Sequence, residues 1–200
     1  MKTLQSFFSL LLVAAFAISA STVSAQTHQV NTDKSTVKWV GKKVTGQHNG
    51  KVKVKSGQLT QEKNGGLSGE FVIDMASITC DDLTDAGYNQ KLVGHLKSDD
   101  FFSTEKHPTA TFKITKAVAQ TDKSGNNYLI TGDLTIKGIT KTVTFPAKVT
   151  LTKAGFIAQA KVNVDRTQYD IKYGSSSFFD SLGDKAIDNN FELDLYVVSK

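Results

Sequence analysis

The sequence is poor in cysteine and in arginine. The first shortage excludes an internal disulfide, and the second argues against a nucleic-acid partner. Among its 200 residues Cys80 is the only cysteine, so no internal disulfide can form. No histidine lies near Cys80 in the sequence, which favours a small buried thiol over a catalytic nucleophile. Arg166 is the only arginine among 24 basic residues. Because nucleic-acid-binding proteins concentrate arginine and aromatic residues in one patch, the composition argues against nucleic acid as a partner.

Charge is almost absent from the first 25 residues. They contain Lys2, an uncharged run from Thr3 to Ser24, and the small residues Val23-Ser24-Ala25 at its end. This pattern is typical of a secretory signal peptide, and it is too short and too weakly flanked for a membrane anchor. We therefore predict a signal peptide at residues 1–25, one soluble domain without a membrane span at residues 26–200, and a periplasmic location.

Apolar and polar residues alternate with a period of two through most of the remaining chain. In GKVKVKSG, for example, Lys51 and Lys53 point to one side of a strand, and Val52 and Val54 point to the other. This alternation predicts eight strands, at residues 37–44, 52–59, 70–75, 109–119, 128–136, 142–151, 156–164 and 191–197. Short turn signals such as Lys137-Gly138 separate the strands and favour antiparallel hairpins.

A sheet of this length with one apolar face has to bury that face. Closure into an eight-stranded antiparallel barrel does so and also removes the exposed edges, so we predict an all-β barrel. The one helical pattern covers residues 84–96, shortly before the strand at 109–119, and Thr84 or Asp85 is placed to cap it. A helix inserted there is expected to cover one opening of the barrel.

Small residues recur on the predicted inner face. Gly132, Ala147, Ala158 and Ala160 alternate in phase with the large apolar residues. Small barrels are either filled by their own side chains or hold one small ligand, and the pattern is compatible with both. These residues either make room for bulky neighbours or line a tunnel for an apolar ligand.

The stretch GHLKSDDFFSTEKHPTATFKI combines two histidines with acids and adjacent aromatic residues. His95 and His107 lie twelve positions apart, which does not fit a zinc site on a helix or a recognisable nucleophile and base. We expect His95 to close the helix and His107 to lie extended before Pro108, so no catalytic or metal-binding residue is assigned. Phe101 and Phe102 are interpreted either as a plug of the core or as a lid that touches a ligand.

A lone arginine in a chain rich in lysine indicates a need for its planar, bidentate donor group. In one interpretation, Arg166 pairs with a carboxylate such as Asp165 or Asp170. In the other, it binds a phosphate or carbonyl head group together with Lys172 and Tyr173.

Three blocks of the sequence resemble the YceI-like polyisoprenoid-binding proteins. They are HLKSDDFFSTEKHPTATFKI at 95–114, ITGDLTIKGITKTVTFPAKV at 130–149 and DRTQYDIKYG at 165–174. The resemblance implies a lipocalin-like eight-stranded barrel, periplasmic or secreted, that holds a long isoprenoid or similar amphiphilic lipid in its pore. It implies no catalytic activity, and we expect no cofactor. The candidate ligand-binding residues are Phe101, Phe102, Phe112, Ala158, Ala160, Arg166, Tyr169 and Tyr173.

The leading hypothesis is a non-enzymatic carrier for a long apolar ligand, such as a polyisoprenoid or an isoprenoid quinone. One alternative is an enzyme or redox accessory that acts on such a lipid through His95, His107 and the neighbouring acids. Another is a filled barrel that serves only as an interaction module. The prediction for partners also allows a homodimer.

Overall fold

The computed structural model describes residues 25–63 and 65–200, so the predicted signal peptide, apart from Ala25, lies outside the described residues. The described chain forms nine strands and one α-helix. The strands are β1 (Gln26–Gln29), β2 (Thr36–Lys43), β3 (Gly46–Gln61), β4 (Leu67–Asp74), β5 (Thr109–Ala119), β6 (Tyr128–Ile136), β7 (Ile139–Thr152), β8 (Gly155–Asp165) and β9 (Ile187–Val198). The helix is α1 (Ala86–Lys97), and short 3₁₀ turns cover Met75–Ser77, Arg166–Tyr169 and Gly183–Lys185.

Strands β2 to β9 form a closed eight-stranded barrel. Each strand from β2 to β8 pairs antiparallel with the next one along the chain, and β9 pairs with β2 to complete the circle. Closure leaves the eight strands without a free edge, which removes the exposed backbone groups that promote aggregation. The predicted all-β antiparallel barrel is therefore confirmed.

The alternation of side chains explains why these segments form strands. In β3, Lys51 and Lys53 are exposed whereas Val52 and Val54 are buried in the barrel core. Each fully buried valine, leucine, isoleucine or phenylalanine contributes about 1.5–3 kcal/mol relative to an exposed side chain. A shift of register by one residue would turn this apolar set to the solvent, so the same pattern also specifies the pairing.

The tight turn between β6 and β7 depends on two residues with positive φ. Lys137 and Gly138 have φ angles of 51° and 74°, and they connect the paired residues Ile136 and Ile139. Positive φ at both central residues is the requirement of a type I′ turn, whose twist matches that of the flanking strands. The predicted turn signal at this position is thus confirmed.

Helix α1 lies between β4 and β5, as the sequence predicts. Its N-cap is Asp85, whose Oδ1 accepts a hydrogen bond from the backbone N–H of Tyr88 at 2.9 Å. The helix ends at Lys97, and Leu96 in its last turn is buried. Within residues 25–63 and 65–200 there is no helix long and apolar enough to cross a membrane.

Strand β1 is the one strand that the alternation did not predict. Its four residues pair with the second half of β3, along the edge that β2 occupies in the first half. The sequence Gln26-Thr27-His28-Gln29 is polar throughout and mostly exposed, so it has no apolar periodicity to detect.

Candidate ligand site inside the barrel

All eight barrel strands contribute to an apolar cavity of about 140 Å³, which we call the inner cavity. Among its described lining residues Gln159 is the only polar one, and it is largely exposed to solvent, so the cavity wall itself is apolar. Three predicted ligand-binding residues, Phe112, Ala158 and Ala160, lie in this lining.

A second cavity of about 130 Å³ lies towards α1, and we call it the helix-side cavity. Leu96 of α1 contributes to its wall together with Phe101 and Phe102. Four polar or charged residues also border it, Lys42, Arg166, Asp188 and Asn190, but they present almost only carbon atoms to it, so its wall is apolar like that of the inner cavity. Four residues line both cavities, and we call them the neck: Val37, Ile73, Leu134 and Leu193. Because the neck borders both spaces, the two cavities adjoin each other along the barrel.

Gly132 makes room for a large neighbour. A Cβ atom at this position would lie 2.4 Å from Cζ of Phe112 and 2.5 Å from the backbone oxygen of Lys113. The ring of Phe112 occupies that space, with its centroid 5.4 Å from that of Phe145. At Gly132 the small residue therefore accommodates a bulky neighbour, whereas Ala147, like Ala158 and Ala160, lines the inner cavity.

Phe101 and Phe102 lie in the turn that follows α1, and both line the helix-side cavity. Their backbone N–H groups donate to the carbonyl oxygens of Ser98 and Leu96, each at 3.1 Å, and so hold the turn against the end of the helix. Phe101 is buried and Phe102 is partly buried; the ring of Phe102 meets that of Phe191 edge to face at 6.1 Å. The turn therefore directs two adjacent aromatic side chains inwards, which a continuous strand would not do.

Arg166 is buried, and its guanidinium group donates to four backbone carbonyls. Nε donates to Asp188 at 2.9 Å, Nη1 to Ile171 and Tyr173 at 2.8 Å each, and Nη2 to Ile187 at 3.0 Å. These bonds connect the segment after β8 to the start of β9, and they use four of the five N–H groups of the side chain.

The expected ion pair of Arg166 with Asp165 or Asp170 does not form in the described structure. Asp165 instead accepts from the backbone N–H of Thr167, and Asp170 pairs with Lys172 at 2.6 Å. Burial lowers the pKa of Arg166, while the charges of Asp165 and Asp188 oppose that effect. The interpretation as an ion pair was wrong because backbone carbonyls, which the sequence does not reveal, satisfy the guanidinium group.

The two tyrosines of the predicted set lie outside the described linings of both cavities. Tyr169 is buried, and its hydroxyl has no hydrogen-bond partner among the described residues. Burial and, to a smaller extent, the charge of Asp165 raise the pKa of Tyr169 to about 12. Tyr173 is 46% exposed and covers Phe101 from the outside, with ring centroids 5.5 Å apart. Ligand contact by these tyrosines stays a prediction.

The two histidines of the stretch GHLKSDDFFSTEKHPTATFKI have separate surroundings. Nε2 of His95 lies 3.0 Å from Oδ2 of Asp100, and the ring of His95 packs edge to face against Phe101 and Tyr173 at 4.9 and 4.6 Å. His95 lies in the last turn of α1, as expected. His107 is not part of the helix. It follows the turn after α1, and its ring lies beside Gly138.

Cys80 has a histidine neighbour that its sequence position does not reveal. It is buried, as expected, but its Sγ lies within 4.8 Å of both Nδ1 of His48 and a carboxylate oxygen of Asp82. Sequence reasoning missed this cluster because a non-strand segment before α1 brings Cys80 and Asp82 against β3.

Comparison with known proteins gives one family. The sequence profile described as the YceI-like domain matches residues 28–199. Protein YceI of Escherichia coli O17:K52:H18 is 41% identical over 78 residues, which cover 35% of this chain and 39% of that protein. The aligned part thus spans less than half the length of this curated relative.

Two solved structures have similar folds along most of the chain. BcnA of Burkholderia cenocepacia has 26% identity and a TM-score of 0.66, with 86% of this chain and 99% of BcnA covered. A polyisoprenoid binding domain from Saccharophagus degradans has 14% identity and a TM-score of 0.60, with 86% and 97% covered. At that identity the second comparison shows the fold alone.

Proposed function

The chain belongs to the YceI-like domain family, and from this premise we propose that it is a non-enzymatic binding protein that carries a long apolar ligand inside its barrel. The observation that carries the proposal is the pair of adjoining cavities, whose combined lining comes from every barrel strand. Binding sites for small apolar molecules are concave, mostly apolar, and supplied with a few polar groups that fix orientation.

The distribution of polar groups supports one orientation for an amphiphilic ligand. The inner cavity offers an apolar wall, which suits a hydrocarbon tail. The surface that faces the helix-side cavity is apolar too, but Lys42, Arg166, Asp188 and Asn190 border it, so the polar head is proposed at that border and not inside the cavity. One Nη2–H of Arg166 is not used by the four carbonyl bonds, and we propose it as the donor to such a head group. We therefore propose a tail in the inner cavity and a head near Arg166.

The size of the cavities supports a ligand that is built from small repeated units. An apolar cavity of about 150 Å³ holds a benzene molecule, and the two cavities of about 140 and 130 Å³ each match a fragment of that size. Such a fragment is close to one isoprene unit. A longer chain has to pass between the neck residues. A polyisoprenoid or an isoprenoid quinone is the proposed ligand class, and the name of the Saccharophagus degradans neighbour supports it.

We also propose a periplasmic location, which is supported by the leader at residues 1–25, where Lys2 is followed by an uncharged run. Fractionation of cells that express the full chain, with N-terminal sequencing of the product, tests this point. A cytoplasmic product that retains Met1 would contradict it.

Native mass spectrometry of the purified protein, followed by organic extraction, tests the carrier function. We expect a lipid mass that is released into the extract. Chemical conversion of the extracted lipid by the purified protein would favour the enzyme alternative. Absence of bound lipid, even after incubation with isoprenoid vesicles, would favour the filled barrel.

A matched pair of variants on β8 locates the ligand. Ala158→Phe places a ring in the inner cavity and should abolish lipid occupancy, whereas Ile157→Phe changes the neighbouring exposed position and should leave occupancy unchanged. Thermal unfolding of lipid-free protein is the control. Loss of occupancy with nearly normal stability supports the cavity, and destabilisation by about 1–3 kcal/mol would indicate a filled, overpacked core instead.

A further inference from the structure

Three side chains with different metal-binding atoms meet at the surface of β3. Nδ1 of His48 lies 2.8 Å from Oδ2 of Asp82, and Sγ of Cys80 donates to Oδ1 of Asp82 at 3.3 Å. All three ligand atoms lie within 4.8 Å of one another. The cluster is separate from the lining of both cavities.

The backbone holds the segment with Cys80 and Asp82 against β3. The N–H of Thr79 donates to the carbonyl of Lys51 at 2.9 Å, and the N–H of Asp81 donates to the carbonyl of Asn49 at 2.8 Å. These two bonds hold the segment alongside β3, and the chain bends at Asp81 and Asp82. At this bend the side chains of Cys80 and Asp82 meet, with Sγ 3.3 Å from Oδ1.

Gly50 permits this close approach. A Cβ atom at position 50 would lie 1.9 Å from the backbone oxygen of Thr79, which also accepts a hydrogen bond from Nε1 of Trp39 at 3.0 Å. From the other side, Nδ2 of Asn89 in α1 donates to the carbonyls of Cys80 and Leu83, both at 2.9 Å. The cluster is therefore built on a fixed frame rather than on mobile side chains.

The spacing of the three atoms suits a small cation. Tetrahedral zinc has bonds of about 2.0–2.3 Å, which place neighbouring ligand atoms about 3.3–3.6 Å apart. Sγ of Cys80 lies 3.3 Å from Oδ1 of Asp82, and Nδ1 of His48 lies 2.8 Å from Oδ2, the other oxygen of the same carboxylate. A cation held by one of these oxygens therefore requires a small rotation of the Asp82 carboxylate. Cys80 is buried, whereas the side chains of His48 and Asp82 are 33% and 29% exposed, so a fourth position faces solvent.

We propose that His48, Cys80 and Asp82 form a binding site for a divalent cation of the zinc class, with a water molecule as fourth ligand. Sulfur and imidazole nitrogen favour such a cation over calcium or magnesium, which prefer oxygen ligands. Binding forms one bond from the cation to each side chain. The thiol proton leaves to solvent and the imidazole proton moves from Nδ1 to Nε2. One thiolate and one carboxylate then neutralise the two positive charges.

The protonation state of Asp82 agrees with this assignment. Partial burial opposes its ionisation. Hydrogen bonds to the carboxylate from the backbone N–H of Asn49, the imidazole of His48 and the thiol of Cys80 nevertheless hold the pKa of Asp82 at about 2. A bound cation would join β3 to the segment that leads into α1, the helix whose Leu96 borders the helix-side cavity.

Cobalt binding to the reduced full chain tests the proposal. We expect one Co²⁺ per chain, a thiolate-to-cobalt charge-transfer absorption, and displacement of Co²⁺ by Zn²⁺ but not by Mg²⁺. Loss of an outer-shell partner alone lowers metal affinity by about 10–100-fold, so Cys80→Ser and His48→Gln should each weaken binding at least about tenfold. The matched control is His95→Gln, which should leave cobalt binding unchanged. His95 and Asp100 form a similar histidine–aspartate pair at 3.0 Å, but no cysteine belongs to that pair.

A second measurement uses the wild-type protein and does not depend on the folding of any variant. Zn²⁺ should protect Cys80 from alkylation and slow amide exchange in residues 79–97. Absence of the charge-transfer absorption, equal affinity of Cys80→Ser and wild type, or alkylation that Zn²⁺ does not slow would each overturn the proposal and leave a hydrogen-bonded cluster without metal.

Discussion

Replacement of Arg166 by methionine should destabilise the barrel through the backbone groups that the arginine serves. Methionine keeps an unbranched apolar stem but removes the guanidinium group. Four carbonyl oxygens then lose a charged donor, those of Ile171, Tyr173, Ile187 and Asp188. Ile171 is 0% exposed, so water cannot replace its donor, whereas Tyr173 is 46% exposed and its carbonyl is easier to hydrate.

The magnitude follows from this difference. An unsatisfied buried carbonyl costs about 1–3 kcal/mol, and each of the three more accessible hydrogen bonds contributes about 0.5–1.5 kcal/mol. Part of this loss is offset, because the variant no longer has to desolvate a buried charge. We expect a net decrease in the free energy of unfolding of about 2–5 kcal/mol.

Urea unfolding, followed by the fluorescence of Trp39, measures this change directly. Trp39 is the only tryptophan and is buried at the helix-side cavity, so its emission reports on the same end of the barrel. Arg166→Lys is the matched control. It retains the positive charge but loses the planar fork of donors, and we expect an intermediate stability.

Two results would refute the reasoning. A loss below about 1 kcal/mol for Arg166→Met would mean that water or a rearranged loop satisfies the four carbonyls at little cost. Wild-type stability of Arg166→Lys would mean that the charge, and not the geometry of the guanidinium group, is what the site requires.

Three further predictions concern the lid, the acid stability and a close backbone contact. Replacing both Phe101 and Phe102 by serine should speed lipid release. In the wild type, amide exchange of residues 97–108 should be slower in lipid-loaded than in lipid-free protein, and the double variant should lose this difference. Global unfolding of the variant would identify the two rings as ordinary core. Asp82 has a depressed pKa, so its contribution to stability should be complete above the ordinary value of about 3.9 and be lost as the pH falls towards about 2; Asp82→Asn should flatten urea-measured stability across that range, and an unchanged slope would contradict this. Gly50→Ala should lower thermal stability by at least about 1–3 kcal/mol, because its Cβ would lie 1.9 Å from the oxygen of Thr79; a wild-type melting curve would argue against that contact.

The barrel could be predicted from the sequence because strand periodicity is a local property. Each of the eight barrel strands has an apolar face, and the two-residue turn at Lys137-Gly138 has its own sequence signature. Strand β1 escaped prediction because four polar residues without an apolar face carry no such pattern. The same reasoning located α1 within two residues, since Asp85 is a typical N-cap.

The functional details could not be predicted, because they depend on contacts between distant segments. The role of Arg166 is set by backbone carbonyls at positions 171–188, and no side-chain pattern shows where a loop will direct its carbonyls. Cys80 and His48 are separated by 32 positions, and the contact depends on the absence of a Cβ at Gly50. The surroundings of the small inner residues could not be predicted either. Gly132 contacts the ring of Phe112, whereas Ala158 lines the inner cavity, and the alternation does not show which way the ring of Phe112 points.

The pairing of β2 with β9 has a consequence for the order in which the chain folds. Every other contact between barrel strands joins consecutive segments, whereas Thr36 pairs with Tyr196, about 160 residues away. Local hairpins form within microseconds, but contacts of high sequence separation pay a larger loop-closure entropy and are slower. The last step of folding should therefore be the joining of this seam. Until it closes, β2 and β9 are open edges that a second unfolded chain can pair with, so a high concentration of newly made chains should favour aggregation of this protein.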